Sequence, residues 1–162
     1  NGGVGVFYIP KPDTVDFKDW IVVLDDIQDP GNMGTIIRLC DWFGIRHLVC
    51  SKNTVDCYNP KVLQATMGSI ARVNIEYTEL EHFLSSANGS VYGSFMSGDT
   101  VYEKELSREG ILVMGNEGKG ISDRVKALYT NTISIPRHGT SNTESLNVAT
   151  ATAILLNEVR RG

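Results

Sequence analysis

DWIVVLDDIQDPGNMGTIIRLCDWFGIRHLVC, residues 19–50, reads as strand, polar loop, helix and strand. The apolar run 21–24 is too short for a helix. It gives way to Asp29-Pro30-Gly31, a turn sequence, and to Asn32, a good helix N-cap. Met33, Ile36, Cys40 and Phe43 then recur at helical spacing, and Gly44 is a good stop. Arg38 falls on roughly the opposite side, so it is not part of that apolar stripe. A second apolar run at 47–50 closes the unit. The alternation continues, with strands expected near 74–77, 91–95, 111–114 and 132–135. Helices are expected near 60–71, 79–86, 122–128 and 147–160. Strands alternating with helices predict an α/β domain, a parallel sheet with helices on both faces.

The 162 residues, 41% of them hydrophobic, suffice for one domain with a substantial core. We divide the chain into a leader, 1–18, and one domain, 19–162. In the leader Val4, Val6 and Tyr8 alternate like a stray strand until Pro10 and Pro12 break it. The first residue is Asn1, so we expect a processed chain or a piece of a longer one. With no run of 18 apolar residues, no membrane span is expected. The net charge of −4 and pI of about 5.3 do not announce a nucleic-acid binder, although a local basic patch or another domain can supply phosphate contacts. Cys40, Cys50 and Cys57 are odd in number and form no C-x-x-C. With His47, His82 and His138 they show no metal-ligand spacing, so we expect free thiols, no metal and a cytoplasmic location.

In sheets of this kind chemistry collects beyond the carboxyl ends of the strands. Three loops stand out there. The first, 25–44, holds Asn32 and Arg38; taken singly, these are a cap and a solvated arginine. The second, GNEGKGIS at 115–122, has three glycines that permit close backbone approach to a ligand. Ile121-Ser122 stands where Walker A requires Lys-[Ser/Thr], and G-x-G-x-x-G is absent too, which weighs against an ordinary nucleotide-binding domain. A glycine turn with Ser122 capping the next helix would explain most of it, but not the carboxylate of Glu117. The third loop follows 133–135 and ends at Ser145, after which a helix begins. Ser145 alone reads as its N-cap and Asn147 as an exposed first-turn amide. Along that helix Val148, Thr152, Leu155 and Val159 mark one face and Leu146, Ala149, Ala153 and Leu156 another, so we expect burial on two sides, against the core and a partner.

Taken together, DPGNMGTIIR (29–38), VMGNEGKG (113–120) and the tail from Ile135-Pro136 to Ser145-Leu146-Asn147-Val148-Ala149 resemble the three ordered motifs of the TrmH/SpoU family. NPKVLQATMGSIAR (59–72) and YGSFMSGDTVYEKEL (92–106) resemble the family's intervening segments. These are S-adenosylmethionine-dependent RNA ribose 2′-O-methyltransferases of the SPOUT class. The resemblance covers roughly residues 19–161 and implies an α/β trefoil knot at the carboxyl end, tRNA or rRNA as substrate, and a homodimer formed through the knot region and tail helix. It implies a catalytic set of Asn32, Arg38, Glu117, Ser145 and Asn147. Ser94, Met114, Gly115, Asn116, Gly118, Ile135 and Leu146 would hold the cofactor, and Arg38, Lys119, Arg137 and His138 the RNA. The arginine of one subunit would stand near the other's cofactor.

A guanidinium stays protonated in proteins, so we expect Arg38 to orient phosphate or hydroxyl while a phosphate oxygen or water takes the ribose proton. Two departures from the family pattern stand out. The 136–145 loop is about two residues longer, with Arg137 and His138 where an apolar and a small residue are common. The leader resembles the strand that joins a small RNA-binding domain to the knot domain in many relatives. The competing expectation is a cofactor-binding RNA-assembly protein without turnover.

Overall fold

The computed structural model describes residues 3–139 and 145–161, without the side chain of Ser97. Six strands, β1 (Trp20–Asp25), β2 (His47–Ser51), β3 (Asn74–Thr78), β4 (Val91–Thr100), β5 (Gly110–Gly115) and β6 (Asn131–Ser134), form one sheet in the order β3-β2-β1-β5-β4-β6. Every pairing is parallel. The helices are α1 (Pro30–Trp42), α2 (Pro60–Thr66), α3 (Leu80–Ser86), α4 (Asp123–Lys126) and α5 (Val148–Arg161).

β1 explains the layering. All six of its residues are buried, and the five apolar ones alternate between two cores. Trp20, Val22 and Leu24 join Met33, Ile36 and Cys40 of α1, Val62 of α2 and Leu155 and Leu156 of α5. Ile21 and Val23 join Leu80 and Leu84 of α3 and Val125 of α4. A strand with apolar side chains on both faces needs helices on both faces, as the sequence predicts. The chain builds outward through β2 and β3 and then returns to the other side of β1, placing β5 there. The crevice between β1 and β5 is the reversal point of the strand order, where ligands of such sheets bind.

Several details differ from the sequence expectations. Asn32 does not cap α1. Asp29 does, accepting the Asn32 N–H at 2.7 Å, with Pro30 on the first turn, where its missing donor costs nothing. The helix expected over 60–71 stops at Thr66, because Met67 and Gly68 are both left-handed, and Ser69–Ala71 is a separate 3₁₀ turn. Gly34 lets α2 approach: a Cβ there would collide with Ala65 and lie 2.9 Å from the Val62 carbonyl. β4 runs on to Thr100, beyond the expected end near 95. Phe95 and Thr100 both register with Ser134, so the intervening residues bulge around Gly98, and the Ser134 hydroxyl donates to the Gly98 carbonyl at 3.0 Å.

The leader forms no strand among the described residues. Val4, Val6, Phe7, Tyr8 and Ile9 are exposed, and attachment begins only at Asp13. There the Asn74 side chain bonds both backbone groups of Asp13 (2.7 and 3.0 Å), the Asp16 N–H meets His47 Nε2 at 3.3 Å, and Phe17 stacks on Phe83. His47 is buried, and its imidazole is held below its ordinary pKa by burial, with Arg46 adding repulsion. All three cysteines are free and buried, as expected, and burial pushes the Cys40 thiol up to about 12. No helix among the described residues is long and apolar enough to cross a membrane. No group of metal-ligating side chains occurs among them either.

Candidate active site

Parallel register brings the first two motifs together. Asp25 ends β1 directly opposite Gly115, which ends β5. After Gly115 the chain doubles back, with Asn116 and Gly120 exchanging backbone bonds of 3.0 and 2.9 Å. A side chain at Gly115 would collide with the backbone of Gly120 and Ile121, which lie over it. The Asn116 side chain shapes the turn from within, accepting from the N–H groups of Gly118 and Lys119 at 2.9 Å each. The turn thereby presents Glu117 to the start of α1.

Glu117 accepts from the Asn32 side-chain amide at 3.0 Å, and its two oxygens lie 3.4 Å from the backbone N–H groups of Gln28 and Asp29. Asn32 is bound on its other side as well, for its Oδ1 accepts from Asn147 Nδ2 at 2.8 Å. Asn147, not Ser145, caps α5, its Oδ1 accepting from Ala149 and Thr150 at 2.9 and 3.2 Å. The cap fixes which way the Asn147 amide faces, since the oxygen must face the helix N–H groups. Its NH₂ then turns to Asn32, whose own NH₂ is left for Glu117. One directional chain, Asn147 to Asn32 to Glu117, thus joins three segments separated by up to 115 residues.

Arg38 lies on the exposed side of α1, beyond Asn32, and has no hydrogen-bond or ion-pair partner among the described residues. Ser145 and Leu146 sit just before the cap, and Leu146 is 49% exposed despite its apolar side chain. Gly115 ends β5 and Ile135 follows the end of β6, whereas Ser94 lies within the first half of β4, paired with Ile133, and Met114 is buried. Lys119, Arg137 and His138 are exposed, and Arg137 is not free of partners. The fold therefore links Asn32, Glu117 and Asn147 directly. It leaves Arg38 and Ser145 outside that chain, puts Gly115 and Ile135 at the carboxyl ends of β5 and β6, and keeps Ser94 farther back within β4. The 136–145 loop falls partly on 140–144, outside the described residues.

Sequence reasoning missed Asp25 and Asp26. Asp25 is buried and accepts the Ser122 N–H at 2.7 Å, and the Asp26 carbonyl accepts from Asn116 Nδ2 at 2.7 Å. The available signal was a pair of adjacent carboxylates ending a wholly apolar strand. Ser122 stands at the N-cap position of α4, as expected, but its side chain makes no cap bond. In α5, Val148, Ala149, Thr152, Leu155, Leu156 and Val159 are buried within this chain. Both expected stripes thus contribute mainly to one broad inner face.

Comparison with known proteins agrees with this geometry. The family model described as the SpoU rRNA methylase family matches residues 19–157. The 23S rRNA (guanosine(2553)-2′-O)-methyltransferase of Bacillus subtilis is 32% identical over 144 residues, covering 86% of this chain and 57% of that protein. A TrmH-family protein of known structure from Porphyromonas gingivalis superposes with a TM-score of 0.83 at 43% identity, over 94% of this chain and 62% of that one. An S-adenosylmethionine-bound rRNA methyltransferase from Sinorhizobium meliloti gives a TM-score of 0.82 at 32% identity, over 90% and 57%. This chain spans a little over half the length of these proteins. Three converging motifs, a family match over most of the residues and these superpositions lead to one assignment: the chain belongs to the SpoU rRNA methylase family, within the TrmH/SpoU group.

Proposed function

We propose that this chain is the catalytic domain of an RNA ribose 2′-O-methyltransferase that uses S-adenosylmethionine. The observation that carries the proposal is the directional chain Asn147–Asn32–Glu117, formed between the three motifs, with an unpaired arginine farther along the same helix.

The residues present suit the cofactor. Ile135 and the exposed Leu146 offer apolar flanks for a purine, and the glycine turn offers backbone groups to its polar edges. When bound, the cofactor supplies an electrophilic methyl group. The protein's own task is mainly placement, because a ribose hydroxyl is a poor nucleophile and reacts when aligned and relieved of its proton. Arg38 carries the five donors of a planar guanidinium and has no partner among the described residues, so it orients the ribose or its phosphate. The proton leaves to a phosphate oxygen or water. Glu117 and Asn32 hold the start of α1, and with it the direction from which Arg38 reaches.

Supporting the wider reading, several relatives carry names of 23S rRNA 2′-O-methyltransferases, and two similar solved structures are bound to S-adenosylmethionine. We read the working form as a cytoplasmic homodimer, knotted at its carboxyl end, in which Arg38 meets the other subunit's cofactor. Half-buried Ala151 and Ile154 on α5 and exposed Thr35 on α1 are the surfaces left for that pairing.

The test is calorimetric titration with S-adenosylmethionine, followed by transfer of labelled methyl to bulk tRNA and rRNA. Micromolar binding and label retained in alkali-resistant dinucleotides are expected, because a 2′-O-methyl blocks alkaline cleavage. Binding without transfer to any RNA would favour an assembly role without turnover.

A further inference from the structure

The turn from Gly115 to Gly120 carries three glycines and lacks an apolar side chain to anchor it, so its own sequence leaves it many conformations. Asn116 bonds it from within, and β1 holds it from outside. Asp25 is only 6% exposed, yet one carboxylate oxygen lies 2.7 Å from the Ser122 N–H where the turn ends. Asp26 holds the other side through its carbonyl, 2.7 Å from Asn116 Nδ2. To make both contacts the chain bends sharply, and Asp26 adopts a left-handed φ of 61°. Burying a carboxylate is costly unless it is well bonded, and a backbone N–H bound to an ionised acceptor makes a strong bond.

We propose that Asp25 is a positioning residue for cofactor binding. Its carboxylate clamps the far end of the glycine turn, keeping Gly115–Gly118 in the shape that receives the cofactor and Glu117 turned toward Asn32. The proposal rests on the cofactor reading above, and it adds a residue outside the three-motif set together with the contact through which it acts. Asp25 touches neither cofactor nor RNA in this account.

Three substitutions separate the clamp from bulk stability. Asp25→Ala removes the acceptor, whereas Asp25→Asn keeps one. Ser122→Pro deletes the donor from the opposite side, and the Ser122 φ of −65° is the value proline adopts. Binding of S-adenosylmethionine by the wild-type chain is read first and decides the cofactor assignment by itself. Hydrogen exchange of the 116–122 amides and the cofactor Kd are then measured for each variant. Asp25→Ala and Ser122→Pro should both speed exchange in the turn and raise Kd about tenfold, the loss of one strong hydrogen bond. Asp25→Asn should recover most of the affinity, and KM for RNA should stay within about twofold in all three, since the clamp touches no RNA. A lowered melting temperature with unchanged Kd in both Asp25→Ala and Ser122→Pro would make Asp25 merely structural and overturn the proposal.

Discussion

Asn32 and Arg38 lie on one helix, about 9 Å apart along its axis at the usual helical rise, and their surroundings are opposite. Asn32 is half-buried and bound on both sides, to Glu117 and to Asn147. Arg38 is exposed and meets nothing among the described residues. Most other arginines meet a carboxylate, as Arg46, Arg72, Arg124, Arg160 and Arg161 do, although Arg108, like Arg38, is exposed and pairs with nothing among the described residues. Arg160 grips Asp19 with two bonds of 2.7 and 2.9 Å, which holds the Asp19 carboxyl below its ordinary pKa. One end of α1 is therefore part of the folded monomer. Farther along, Thr35 and Arg38 are exposed, while Asp41 is again tied to the monomer through Arg72.

The largest effect that could break this contrast is at Arg38. Arg38→Ala should cut methyl transfer by about 10²–10³-fold, the usual cost of losing a charged group at the reacting atoms, while unfolding midpoints stay unchanged. Arg38→Lys should also lose most turnover if two-pronged geometry matters. A stability loss in Arg38→Ala would mean it has a structural partner after all.

Next comes Asn32→Ala, which leaves the Glu117 carboxylate and the Asn147 amide without their partner. About 1 kcal/mol of stability should go, the net worth of such bonds, and cofactor affinity should fall with it, checked by denaturant titration and calorimetry. Asn147→Ala should cost a similar amount, about 1 kcal/mol for a lost cap. Asn147→Asp sharpens the test, because it keeps the cap oxygen but cannot donate to Asn32. It should restore stability without restoring transfer.

The smallest effect is remote from the site. His47 has a folded pKa below its ordinary 6.5. The unfolded chain therefore takes up its proton first as pH falls. Stability should decline as pH drops below about 6.5 and level off beneath the depressed folded value. His47→Gln should flatten that slope in melts from pH 7.5 to 5, and the Asn32 and Arg38 effects should be unaltered by it.

How far these features were legible in the sequence follows the same physics. Apolar periodicity located every strand and helix, because β1 and α1 are held by burial, and burial leaves a pattern. The leader strand failed because alternation alone provides no neighbouring edge, and Val4–Ile9 lies against nothing. The helix through Met67-Gly68 failed because backbone handedness is only faintly written in side chains. Taken singly, Asn32 reads as a cap and Asn147 as an exposed first-turn amide; only the resemblance to the family's motifs puts them with Glu117 in one site. Their bonds depend on β1 and β5 becoming neighbours, which no local window shows. Asp25 was missed for that reason: its partner is 97 positions away.

The most direct test compares wild type, Asn32→Ala and Arg38→Ala in two assays, S-adenosylmethionine binding and label transfer to the ribose 2′-oxygen of RNA. Arg38→Ala should bind the cofactor within about twofold of wild type and transfer almost nothing, as expected for a group acting only in the transition state. Asn32→Ala should lose both together. Cofactor binding lost in Arg38→Ala to the same degree as in Asn32→Ala, or transfer unaffected by either substitution, would contradict this division of roles.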